Sequence, residues 1–129
     1  LIRFSNMSDV LLATDADWLF DDVTAALGGS HDVHRVREGT EVAAAVSEVE
    51  PNLIILDLQI GNMGGVATSL LLKQEARAGR LPEAPIMLLL DRSADEYLAS
   101  QSDADAWVVK PLNSLALRRA AQDLLPEPV

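Results

Sequence analysis

Short apolar runs and longer amphipathic stretches alternate along this chain. Runs of four or five apolar residues occupy positions 10–13, 53–56, 86–90 and 106–109. Val, Ile and Leu fill three of them without polar alternation, as in strands buried on both faces of a parallel sheet. A weaker strand fits 32–36, where Val33 and Val36 are apolar. Between the runs the period becomes helical. Trp18, Leu19, Val23, Ala26 and Leu27 share one face, ended by Gly28 and Gly29. Val42, Ala45, Val46 and Val49 form a second helix, stopped by Pro51. Val66, Leu70, Leu71, Gln74 and Ala78 form a third, stopped by Gly79. A fourth, short and polar, fits 94–100. A fifth runs from Ser114 as N-cap through Leu115, Leu117, Ala121 and Leu124. Five strand–helix units in strict alternation predict an α/β fold, a doubly wound parallel sheet with helices on both faces.

The chain has 129 residues, which fits one domain. Residues 9–125 carry the pattern and are expected to be that domain. Residues 1–8 are set apart as a disordered N-terminal remnant, with Met7 a plausible natural start. Residues 126–129 form a tail in which Pro126 and Pro128 stop any helix. Twenty acidic residues stand against ten basic ones, a net charge of −10. That field repels a phosphate backbone or an anionic membrane surface, so no nucleic-acid or membrane partner is expected. No cysteine is present, which excludes disulfide scaffolds, thiol catalysis and Cys-based zinc sites. His31 and His34 read as surface or edge residues of the second strand. No apolar stretch reaches the roughly 18 residues of a membrane-spanning helix, and a cytoplasmic location is the default expectation.

In open parallel sheets the site lies beyond the carboxyl ends of the strands. Thr14 and Asp15 follow the first strand there. Asp57, Leu58 and Gln59 follow the third, Asp91 the fourth, and Lys110 and Pro111 the fifth. Any one of these acids alone reads as an ordinary capped or hydrated turn residue. Three carboxylates and a lysine at successive strand ends point instead to a shared site.

Four segments carry a family resemblance. Residues 10–17 (VLLATDAD) resemble the first strand and acidic loop of bacterial two-component response-regulator receiver domains. Residues 51–65 (PNLIILDLQIGNMGG) resemble the segment bearing their phosphorylated aspartate. Residues 85–90 (PIMLLL) are similar to their fourth strand, and 107–112 (WVVKPL) to their fifth strand and Lys-Pro corner. The resemblance implies a flavodoxin-like receiver fold with strand order 2-1-3-4-5. It also implies that Asp57 accepts a phosphoryl group. Asp15, Asp57 and the backbone carbonyl of Gln59 would then hold Mg²⁺, and Lys110 would pair with the phosphoryl oxygens. The Lys110–Pro111 peptide is expected to be cis. The implied phosphodonor is a sensor histidine kinase or a small molecule. The face formed by the fourth helix, fifth strand and fifth helix, carrying Tyr97, Trp107, Arg118 and Arg119, would meet a protein partner or a second copy. Beyond reactions of Asp57 itself, no enzymatic activity is expected.

Departures from that pattern shape the expectation. Thr14 replaces the first of two adjacent acids, which weakens the metal site, although its hydroxyl can hold a metal-bound water. Leu90 replaces the Thr or Ser whose hydroxyl meets the phosphoryl group, so the switch linking Leu90 to Trp107 should be impaired. Leu90 should pack toward the core side of Trp107. Gly61, where proline is usual, should loosen the loop after Asp57. Asp91 reads as a solvated acid at the mouth, neutralised by Arg92, or as a replacement metal acid. Two alternatives stand beside the phospho-acceptor. One is a phosphorylation-independent pseudo-receiver acting as a protein–protein interaction module. The other is a phosphoryl-transfer enzyme on a flavodoxin-like sheet. A haloacid-dehalogenase-type phosphatase would need an acid at Gln59. The glycines of 61–65 match neither a P-loop nor a dinucleotide fingerprint.

Overall fold

A computed structural model describes residues 8–125. The expected remnant and tail, 1–7 and 126–129, lie outside the described residues. Ser8, placed with the remnant on sequence grounds, instead opens the first strand.

Five strands form one parallel sheet: β1 (Ser8–Ala13), β2 (His31–Val36), β3 (Leu53–Asp57), β4 (Ile86–Leu90) and β5 (Ala106–Val109). Their order is β2-β1-β3-β4-β5. Five α-helices connect and follow them: α1 (Asp17–Leu27), α2 (Val42–Val49), α3 (Gly65–Arg77), α4 (Glu96–Ser100) and α5 (Ser114–Leu124). Short 3-10 turns at Gly39–Glu41 and Ser93–Asp95 lead into α2 and α4. The α5 cap is Asn113, whose side chain accepts the Ala116 N–H at 3.0 Å, and not Ser114.

The continuous apolar runs are explained by two cores, one on each face. Leu11, Ala13, Ile54, Leu56, Ile86, Leu88 and Leu90 pack with Val42, Val46, Leu72 and Ala99 of α2, α3 and α4. Val10, Leu12, Leu53, Ile55, Met87 and Leu89 pack with Leu19, Val23, Leu117 and Ala121 of α1 and α5. Successive strand residues thus alternate between faces that are both covered, so neither face shows polar residues. The edge strand β2 is only partly covered, which is why its pattern was weak.

Register brings the strand ends level. Asp57 lies opposite Leu89, and Leu90 opposite Val109. The Lys110 N–H donates to the Leu90 carbonyl at 2.8 Å, and the Leu58 N–H to the Leu89 carbonyl at 3.0 Å. The loop after Asp57 is tied to the turn before α2 through Gly61. Gly61 bridges Glu38, and its carbonyl accepts the Gly39 N–H at 3.1 Å. At Gly65 a Cβ would stand 2.8 Å from the Asp57 carbonyl oxygen. Only glycine lets α3 start this close to the strand end.

Candidate functional site

Asp57 ends β3 with a side chain only 4% exposed, and every strand end around it contributes to its surroundings. A carboxylate this deep needs donors to remain charged. The Lys110 ammonium donates to Oδ1 at 2.7 Å, and the Gln59 N–H approaches the same oxygen at 3.2 Å. The Thr14 hydroxyl donates to Oδ2 at 2.8 Å. That hydroxyl also accepts the Ala16 N–H at 3.1 Å and is fully buried. Its proton is directed at Asp57. The Lys110–Pro111 peptide is cis, as expected, and the lysine points inward.

Asp91 is the main surprise. The Lys110 ammonium also donates to Asp91 Oδ1 at 2.7 Å, and Asp91 is 33% exposed. Arg92, the expected partner of Asp91, bonds Asp95 instead, at 3.4 Å. Burial pulls the Lys110 ammonium toward deprotonation. The bonds to Asp57 and Asp91 outweigh that pull and raise its affinity for the proton above an ordinary lysine. Lys110 also lies over the Trp18 ring, 5.9 Å from its centroid, at the outer limit of a cation–π contact. Trp18 is 53% exposed and stands at the mouth.

Asp15 is exposed in the loop between β1 and α1, 3.4 Å from where a Gly61 Cβ would stand. Among the described residues, no three His or acidic side chains converge to hold a metal ion. Two carboxylates, Asp15 and Asp57, with the Gln59 carbonyl are an oxygen-only set. Mg²⁺ accepts such a set because it keeps several of its own waters.

Arg35 is a neighbour that sequence reasoning missed. Its Nε donates to the Thr14 carbonyl at 3.1 Å and its Nη1 to Asp17 at 2.8 Å, while its guanidinium stacks 5.0 Å from the Phe20 centroid. Arg35 and then Arg37 hold the exposed Asp17 carboxyl below the ordinary range. These contacts brace the end of β1 on which Thr14 sits. The only sequence signal was an arginine near the end of a weak strand.

Leu90 is fully buried in the α2–α4 core, and Trp107 packs against that core as expected. Trp107 is half-buried, and its indole N–H donates to Glu96 at the start of α4, at 3.2 Å. On the expected partner face, Tyr97 is 72% exposed, and Arg118 and Arg119 are exposed. Trp107 is thus a side chain anchored to α4, not a free aromatic of that face.

No protein-family model matches the chain. Curated relatives do. Over 105 residues the chain is 29% identical to the DNA-binding response regulator MtrA of Mycolicibacterium paratuberculosis, covering 79% of this chain and 44% of that protein. Over 110 residues it is 27% identical to the sensory transduction protein BceR of Bacillus subtilis, covering 83% and 45%. The chain thus spans less than half the length of these relatives. The signal receiver domain of a histidine kinase from Syntrophus aciditrophicus superposes with a TM-score of 0.80 at 25% identity, covering 92% of this chain and 89% of that one. Its homologues are response regulators, and its fold is that of receiver domains. The same fold at 18% identity and a TM-score of 0.78 is seen in the receiver domain of sensor histidine kinase PA1611 from Pseudomonas aeruginosa, covering 91% and 96%. That receiver domain has a magnesium ion coordinated in its active-site cleft. Among the described residues of this chain, no helix is long and apolar enough to cross a membrane.

Proposed function

We propose that this receiver-fold domain accepts a phosphoryl group on Asp57 in two-component signalling, from a histidine kinase or a small phosphodonor. The observation that carries the reading is the Lys110 ammonium, 2.7 Å from the buried Asp57 carboxylate at the carboxyl edge of the sheet. A carboxylate attacking a phosphoryl group meets about two negative charges. Two unit charges 4 Å apart interact by roughly 4 kcal/mol at an effective dielectric of about 20. Lys110 cancels part of that repulsion and holds an equatorial oxygen. In the transfer, an Asp57 oxygen forms a bond to phosphorus while the donor's P–N or P–O bond breaks. The bond pair leaves with the donor atom, which takes its proton from the donor or solvent. Asp15, Asp57 and the Gln59 carbonyl would hold Mg²⁺, which supplies charge neutralisation when bound. The Thr14 hydroxyl keeps Asp57 in one orientation and gives up one acid at the metal site. A cytoplasmic setting and partners on the Tyr97, Arg118 and Arg119 face belong to this same reading.

Intact mass after acetyl phosphate or phosphoramidate with Mg²⁺ tests it. One added phosphoryl group, lost in Asp57→Asn, is the expected result. A second reading is favoured by Leu90, which offers no hydrogen-bond donor at the end of β4. In it the domain is a phosphorylation-independent interaction module, with Lys110 and Asp57 as a charged cap on the sheet. No mass gain in the native chain, with partner binding unchanged in Asp57→Asn, selects that reading.

A further inference from the structure

Lys110 has three N–H donors and no acceptor. Two of them are spent on carboxylates at different strand ends, Asp57 Oδ1 and Asp91 Oδ1, each at 2.7 Å. The lysine side chain is 12% exposed, so water has little room to replace either partner. Asp91 is the more exposed of the two acids and belongs to the segment that leads into α4. Taking Asp57 as the acceptor, we propose that Asp91 is a resident competitor for Lys110, and that its release carries the state of Asp57 to α4.

The charges set the direction. Asp57, Lys110 and Asp91 together sum to −1 when all three are ionised. A phosphoryl group on Asp57 adds about one further negative charge and oxygens that compete for the same ammonium. Asp91 then faces that anion across a single shared cation, and its exposed side offers a way out to water. The next residue, Arg92, donates its N–H to Asp95 at 3.0 Å, which closes the 3-10 turn before α4. Glu96, the first residue of α4, holds the Trp107 indole. A displacement of Asp91 therefore reaches α4 and Trp107 through two contacts between chain neighbours. The fully buried Leu90 needs no hydroxyl for this route. Asp91 is a positioning residue here, acting on Asp57 through Lys110.

The experiment uses the full chain with Mg²⁺ and beryllofluoride as the phosphoryl mimic, followed by amide and indole NMR shifts. Asp91→Ala is expected to bind beryllofluoride about tenfold more tightly than the native chain. Its shift changes over residues 92–98 and at the Trp107 indole should fall below half the native size. Asp91→Glu should restore both native affinity and native response, which a purely structural role for the side chain would not require. Equal affinity and a full response in Asp91→Ala overturn the proposal while leaving Asp57 as the acceptor. In the ligand-free chain, Asp91→Ala and Lys110→Ala should move the amides of 92–96 to common positions, with nothing added in the double variant. Independent, additive displacements there overturn the proposal without reference to Asp57. If neither the native chain nor Asp91→Ala binds beryllofluoride, the acceptor reading fails and the competitor role falls with it.

Discussion

The two halves of the site hold the same carboxylate by different means. On the β1 and β3 side, Asp57 receives the Thr14 hydroxyl and the Gln59 N–H. One donor is fully buried and the other is backbone, so both are held in place by the fold. On the β4 and β5 side, Asp57 receives an ammonium on a flexible stem, shared with the partly exposed Asp91. The first half fixes the acceptor and the second can exchange partners. A site that must hold a nucleophile still and yet register a new charge needs both properties. Here they lie on opposite sides of one carboxylate.

The largest expected effect comes from removing the shared cation. Lys110→Ala leaves Asp57, 4% exposed, without its counter-charge. Breaking a buried pair in this way costs about 3 kcal/mol, measured by urea unfolding. Asp91→Ala leaves the Lys110–Asp57 pair intact and removes only the more exposed partner, so its cost should be smaller, about 1 kcal/mol. Equal losses in the two variants would mean that the halves of the site are not as different as the geometry states.

Thr14→Val comes next. It removes the donor to Asp57 and the acceptor of the Ala16 N–H in a fully buried position. Orphaned groups of this kind cost about 2 kcal/mol. Thr14→Asp should lose a similar amount without metal, by setting a second carboxylate beside Asp57. Added Mg²⁺ should raise its unfolding midpoint more than the native one, because ligand binding to the folded state stabilises by mass action. An identical Mg²⁺ dependence in both chains would argue against Asp15 and Asp57 as the cation site.

Leu90→Thr is expected to cost about 1.5 kcal/mol, from lost packing and a buried hydroxyl. It should also enlarge the Trp107 fluorescence change on beryllofluoride, since it adds a donor at the end of β4. An unchanged signal would confine coupling to the Asp91 route.

The smallest effect lies at the far end of the sheet and serves as a control. Burial holds the His31 imidazole below the usual histidine range, and its Nδ1 has no hydrogen-bond partner. The unfolded chain therefore takes up this proton first as pH falls. The contribution is complete above about pH 6.5 and is lost as pH drops through that value toward the folded-state one. His31→Gln should flatten the stability profile there by under about 1 kcal/mol without altering labelling of Asp57. A change in labelling would show that the sheet ends are coupled.

The fold was legible because its signals are local. Ile86–Leu90 and Ala106–Val109 begin and end where the apolar runs do: β4 is buried on both faces, and the partly buried edge strand β5 still sends apolar residues into both cores. Pro51 and Gly79 end their helices by backbone constraints that need no tertiary context. The cap of α5 was misread because Asn113 and Ser114 are both good caps, and only backbone geometry chooses between them. Lys110 and Asp57 could be paired from sequence through a resemblance. The partners of Asp91 and Thr14 could not, because an acid or hydroxyl after a strand is compatible with water, metal or protein donors alike.

By itself the sequence determined the element order, the doubly covered sheet and the set of polar residues delivered to its carboxyl edge. Hydrophobic period and helix stops act over a few residues and are written in consecutive positions. The tertiary structure decided which of those polar groups touch. Thr14 and Asp57 are 43 residues apart, Asp57 and Lys110 53, and Asp91 and Lys110 19. Strand register and side-chain rotamer set those contacts to within an ångström. A hydrogen bond survives only within that tolerance, so local pattern could bring these residues to one edge but could not pair them.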